Sequence, residues 1–325
     1  MLPPGHTRPP VAPRLLTSAA VLAVVLLVPS VAGAASIRGT LGNDTVNGTG
    51  RGDTIRALSG NDRVAALGGD DKVEAGAGRD LVDGGDGDDV VSGFDGADRI
   101  DGGEGDDAVT GGKGDDVVVG GPGNDRVLNG GPDNDRIDGG DGNDELAGAE
   151  NNDRIDGGPG NDHPQGGPGN DRVFGGPGRD QVDGDKGDDF IDAGPGDDSC
   201  PGFGPGVDRS ACRGFPARGG SINVTGDAGD DVIYPGDGVD NVFGEEGDDL
   251  IVAVRDGSYD RLSCRDAASE PGLSAAGGTV VYVGGIDRRD ELRRCKRVSL
   301  TPVQFERRYP DLPLPTTAAN ARRTS

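Results

Sequence analysis

Gly84-Gly85-Asp86-Gly87-Asp88-Asp89-Val90-Val91-Ser92 is one copy of a unit that returns every nine residues, as in Gly120-Gly121-Pro122-Gly123-Asn124-Asp125-Arg126-Val127-Leu128. Each copy sets a glycine-rich turn before an aspartate and an aliphatic residue two places after it. Ten aspartates keep this spacing: Asp44, Asp53, Asp62, Asp71, Asp80, Asp89, Asp98, Asp107, Asp116 and Asp125. After one extra residue come eight more: Asp135, Asp144, Asp153, Asp162, Asp171, Asp180, Asp189 and Asp198. The place two beyond the aspartate is Val, Ile or Leu in every unit except those with Pro164 and Cys200, so it is expected to point inward.

A fixed short period with small-residue turns predicts a solenoid, in which each unit buries its apolar side chain only against neighbouring units. One unit is too short for a coil with two faces, so two units should make one coil. The fold class expected is all-β, a parallel β-roll. Eighteen units make nine coils, about 43 Å of rod at roughly 4.8 Å per parallel strand.

Composition alone argues against a stable fold. The chain has 63 glycines, 3% aromatics and a formal net charge of -26, which is the signature of a disordered chain. Stacking also brings like charges together, because aspartates 18 apart, such as Asp44 with Asp62 or Asp53 with Asp71, fall on successive coils of one edge. Calcium answers both difficulties. It is a hard cation that takes six to eight carboxylate and carbonyl oxygens in irregular geometry, and glycine lets turn carbonyls converge.

The repeats resemble the haemolysin-type, or RTX, calcium-binding repeat family, whose motif is G-G-x-G-x-D-x-U-x with U a large aliphatic residue. The resemblance implies a calcium-loaded β-roll that is largely unfolded without the metal. The metal ligands expected are the aspartates above except Asp162, together with Asp231, Asp240 and Asp249 from a later array. Asp162 is left out because His163-Pro164 follows it where an aliphatic residue belongs. Arg51, Asp133 and Asn151 replace the glycine at the fourth place of the motif and mark weaker sites. The pairs Asp116/Asp135 and Asp125/Asp144 are 19 apart, which predicts a bulged turn.

Residues 1–34 read as a secretory leader: Arg8 and Arg14, an apolar run from Ala19 to Val28, then Ala32-Gly33-Ala34 before Ala35. The run is too short to span a bilayer. Export fits the four cysteines, expected as disulfides Cys200 with Cys212 and Cys264 with Cys295 because each closes a local loop. RTX proteins are better known for a C-terminal export signal, from which this leader departs.

Residues 202–220, rich in Gly, Pro and Arg, read as a linker between the main roll (39–201) and a second short roll (221–252) with inward Ile233, Val242 and Ile251. Residues 253–310 supply a C-terminal cap, and 311–325 read as a disordered tail. The cap's basic cluster (Arg288, Arg289, Arg293, Arg294, Lys296, Arg297) balances the acidic rolls or binds an anionic cell-wall polymer.

Catalysis finds no footing. His163 is the one histidine beyond the leader, and no G-x-S-x-G, H-E-x-x-H or phosphate-loop motif occurs. The negative charge would repel nucleic acid. Arg51-Gly52-Asp53 spells an adhesive tripeptide, but its aspartate lies on the ligand register. The sequence therefore reads as a secreted, calcium-folded structural scaffold, with a cell-wall-binding adhesin as the alternative.

Overall fold

The computed structural model describes residues 24–27, 34–196, 224–226, 228–236, 240–244, 247–254, 261–264, 278–283, 291–293 and 295–314. Among these, 27 strands run in chain order from β1 (Val24–Leu27) to β27 (Lys296–Leu300). Odd-numbered strands form one sheet of 14 and even-numbered strands a second of 13, all pairs parallel. Successive units therefore alternate between two faces. Thr45 pairs with Arg63 and Ile55 with Val73, so one coil takes two units of nine.

The inward row follows from strand alternation: the residue two after the aspartate points between the sheets while its neighbours face out. Val46, Ile55, Val64, Val73, Val82, Val91 and Ile100 begin a column of buried side chains one residue wide. Pro164 occupies the same buried column, in register with Leu146. It fills the place of an aliphatic residue without opening the core.

The extra residue is absorbed in a strand and not in a turn. Between β10 (Ala108–Lys113) and β12 (Arg126–Pro132) the register moves from Ala108↔Arg126 to Thr110↔Asn129, which is a β-bulge. Leu128 thereby takes the buried place in this coil, one residue later than the spacing implies.

The two expected rolls form one. β19 (Phe190–Asp192) pairs directly with β21 (Val232–Tyr234) through Ile191↔Ile233, and β18 (Val182–Lys186) with β20 (Val224–Thr225). A solenoid needs only nearest-neighbour contacts, so the chain can leave between coils and return in register. Asp198, Cys200 and Cys212 fall in 197–223, outside the described residues.

The segment expected as a non-repetitive cap continues both sheets. β24 (Arg261–Ser263) and β26 (Glu291–Arg293) extend one, while β25 (Thr279–Val283) and β27 extend the other. Leu262, Cys264, Val280 and Tyr282 prolong the inner column, and Cys264 is bonded to Cys295 with Cα atoms 5.2 Å apart. Near this end the outer face of the odd-numbered sheet is covered. Helix α1 (Pro302–Arg308) starts with a capping box in which Thr301 and Gln304 bond reciprocally. It lays Phe305 over Val252, Val281, Val283 and Tyr234, forming a second core. Leu312 and Leu314 join this core and the Tyr234 hydroxyl donates to the Pro313 carbonyl at 2.8 Å, so packed chain extends into the segment read as tail.

Candidate metal centre

The motif aspartate ends each turn and begins each strand, where burial of the next inward residue draws its carboxylate under the turn. Every motif aspartate among the described residues is almost wholly buried, from Asp44 to Asp249. Along each edge they form a ladder. The backbone N–H of Asp62 donates to Oδ1 of Asp80 at 2.7 Å, that of Asp80 to Oδ1 of Asp98 at 2.8 Å, and that of Asp89 to Oδ1 of Asp107 at 2.8 Å. The row crosses the long excursion, where the Asp189 N–H donates to Oδ1 of Asp231 at 2.9 Å. Asp162 belongs to the ladder as fully as its neighbours: it accepts from Asp144 and donates to Asp180, each at 2.9 Å. The sequence argues against it through a poor strand residue, yet Pro164 fits.

Only one oxygen of each carboxylate is used in this way. From Asp62 through Asp171, and again at Asp189, Asp231 and Asp249, Oδ2 is buried and has no hydrogen-bond partner. A buried carboxylate oxygen with no donor costs free energy, and here the same atom recurs on coil after coil. Burial, reinforced by neighbouring carboxylates and opposed by the ladder N–H, pushes Asp107, Asp135 and Asp189 up to about 7 and Asp231 up to about 8. Such a row calls for a cation.

Beside these oxygens stand backbone carbonyls. A Cβ placed on Gly102 would lie 2.5 Å from Oδ2 of Asp107 and 2.7 Å from the carbonyl oxygen of Gly120 on the next coil. At Gly111 the same two contacts, to Asp116 and Gly130, are 2.5 and 2.6 Å. Five before the aspartate a side chain would crowd both oxygens; most units carry glycine there, while Ala57, Ala66 and Ala75 stand there before Asp62, Asp71 and Asp80. Four before the aspartate the backbone turns left-handed. This holds for glycines such as Gly76 and Gly103 and also for Leu58, Leu67, Phe94, Ala149 and Asp185, with φ between 69 and 90°. Non-glycine residues are rare in that region. Asp133 and Asn151 likewise adopt positive φ at the motif's fourth place and keep the turn.

Among the described residues no three His, Cys, Asp or Glu side chains gather into one cluster. An ion held here must combine ladder carboxylates with turn carbonyls, an all-oxygen set that suits calcium. The orphaned Oδ2 atoms and the carbonyls beside them fit that ion. Calcium would supply the charge that offsets the stacked carboxylates.

The first two rungs differ. Thr40 stands four before Asp44 and Thr49 four before Asp53, and neither takes the left-handed turn. The Thr40 N–H donates to Oδ2 of Asp44 at 2.5 Å and its hydroxyl to the same atom at 3.0 Å. The Thr49 N–H donates to Oδ2 of Asp53 at 2.6 Å, and its hydroxyl to Oδ1 at 3.1 Å. The repeat pattern marks both aspartates as ligands, yet the chain's own donors already meet them. The visible signal is threonine four before the aspartate, where later units carry glycine or, as at Leu58 and Leu67, a residue in the left-handed turn.

No curated protein sequence matches the chain. Among solved structures it is similar to a hyperactive, Ca2+-dependent, β-helical antifreeze protein from an Antarctic bacterium, at 19% identity and a TM-score of 0.39, over 82% of this chain and 80% of that one. The RTX calcium-binding nonapeptide repeat matches residues 38–73, 66–93, 92–127, 129–164, 165–200 and 223–251, together more than half of the sequence. With its turn glycines, aspartate rows and two-unit coils, this calcium-binding β-roll belongs to the RTX nonapeptide-repeat family.

Proposed function

We propose that the protein works outside the cell as a structural rod that calcium folds. The observation that carries this reading is the double row of buried carboxylates, whose Oδ2 atoms from Asp62 through Asp171 are left unpartnered. Asp62 and the rungs after it, Asp162 included, are the ligands; Asp44 and Asp53 close the end of the rod through Thr40 and Thr49. The leader-like stretch 1–34 supports export. Calcium outside a cell suits sites of about 10⁻⁴ to 10⁻³ M, the range of extracellular modules.

Titration of calcium into the metal-free protein tests this reading. Circular dichroism should gain β signal cooperatively while the hydrodynamic radius contracts. A chain that stays compact and sheet-rich in excess chelator at pH 8 would sink the proposal.

A second reading, attachment to an anionic cell-wall polymer, is supported by Lys296 and Arg297, exposed on the terminal strand β27. Lys296→Glu with Arg297→Glu tests it better than a deletion, which would remove β27 and Cys295. Loss of surface retention with the roll still folded supports attachment; unchanged retention leaves the rod as a scaffold alone.

A further inference from the structure

The end of one aspartate row is closed by the backbone nitrogen of Ala35. That nitrogen lies 2.5 Å from Oδ1 of Asp53, in the place where Asp71, one coil on, receives the N–H of Asp53. Ala35 holds the aspartate register without a carboxylate, half-buried against the core, and its carbonyl accepts from the Thr54 N–H at 2.8 Å. Its neighbour Ala34 is exposed in a bend. The Ala34–Ala35 bond is also where the leader reading, on Ala32-Gly33-Ala34, puts the cut. Two independent observations meet at one atom.

We propose that the Ala34–Ala35 bond is a processing site, and that the α-ammonium group released there locks the first coil by pairing with the Asp53 carboxylate. This rests on the export reading. A leader peptidase hydrolyses the peptide bond: water gives hydroxyl to the Ala34 carbonyl carbon and a proton to the Ala35 nitrogen, which takes a second proton from solvent. The N–H already aimed at Asp53 then belongs to a cation, and a charge-assisted bond to carboxylate is about twice as strong as a neutral one. The lock is confined to processed chains. In the unprocessed chain Ala35 offers only a neutral amide, and β1, inside the leader, lies against β3 (Asp44–Asn47). After the cut β3 becomes the outermost strand of its sheet, as β2 (Ser36–Arg38) already is of the other.

The test begins with protein collected from the culture medium. Its intact mass should correspond to a chain starting at Ala35. Pyridoxal-phosphate transamination then converts the α-amine to a ketone and leaves lysines intact. Hydrogen exchange at Thr54 and along β2 should quicken about tenfold. In Asp53→Asn the same treatment should change nothing further; should that variant fail to fold, the treated wild type still decides. A start elsewhere, or exchange unmoved by transamination, overturns the inference and leaves export standing. Protein found only inside cells with residues 1–34 attached overturns both.

Discussion

The backbone N–H of Asp116 donates to Oδ1 of Asp135 at 2.8 Å, the same distance as the contact from Asp107 to Asp125, although the first pair is one residue further apart in the chain. The inserted residue leaves the metal edge undisturbed because the bulge in β12 absorbs it. What must stay in register is the aspartate row, while the strand beyond it can stretch.

Leu128 is the residue that the bulge turns inward, fully buried. Leu128→Ala should cost about 2–5 kcal/mol, as for other buried leucines, read as a lower thermal midpoint in saturating calcium. A loss under about 0.5 kcal/mol, the level of a surface change, would contradict the register.

Gly111→Ala places a methyl between Oδ2 of Asp116 and the Gly130 carbonyl. Ala57 and Ala66, which hold the equivalent place before Asp62 and Asp71, show that the backbone accepts the methyl. The fold should therefore persist in saturating calcium while the calcium midpoint rises. An unchanged titration would mean that this gap holds no ion.

The metal-free roll should respond to pH in the direction opposite to most proteins. Burial lifts Asp116 and Asp153 to about 7 and Asp231 to about 8, against about 3.8 for an unburied aspartate. Between pH 4 and 7 the native form holds protons that the unfolded chain has lost, so stability is greatest below that window and falls as pH rises through it. In protein stripped of calcium, β signal should be present at pH 5 and lost by pH 8. Equal signal at both values would contradict the buried row.

Phe305→Ala should open the second core at a cost of about 3–5 kcal/mol. Because a solenoid unfolds by neighbouring units, exchange should rise across β25 and β27 and stay unchanged near Val64. Uniform loss along the rod would contradict this.

The period, the inward column, the two-unit coil and the aspartate row are legible in the sequence because each repeats, and any one unit stands for all. What escapes the sequence depends on contacts that do not repeat. Ile191 meets Ile233 across the long excursion between coils, and no spacing announces that pairing. Phe305 needs the outer face of β25, whose sequence TVVYV reads as one strand with no hint that both sides are covered. Asp162 is set apart in the sequence because Pro164 is a poor residue in a central strand by propensity, yet the proline fills the column and Asp162 keeps its place in the hydrogen-bonded row. The disulfide between Cys264 and Cys295 is legible because it closes a local loop.

Thr40 and Thr49 give the first coil a means of assembling that the coils from Asp62 to Asp171 do not share. Rungs that meet their own carboxylates can form in ion-poor surroundings and wait as a seed. Each following coil then needs only an ion and a finished surface beneath it, so growth should advance from the N-terminal end as a front, like a zip fastener drawn from its stop.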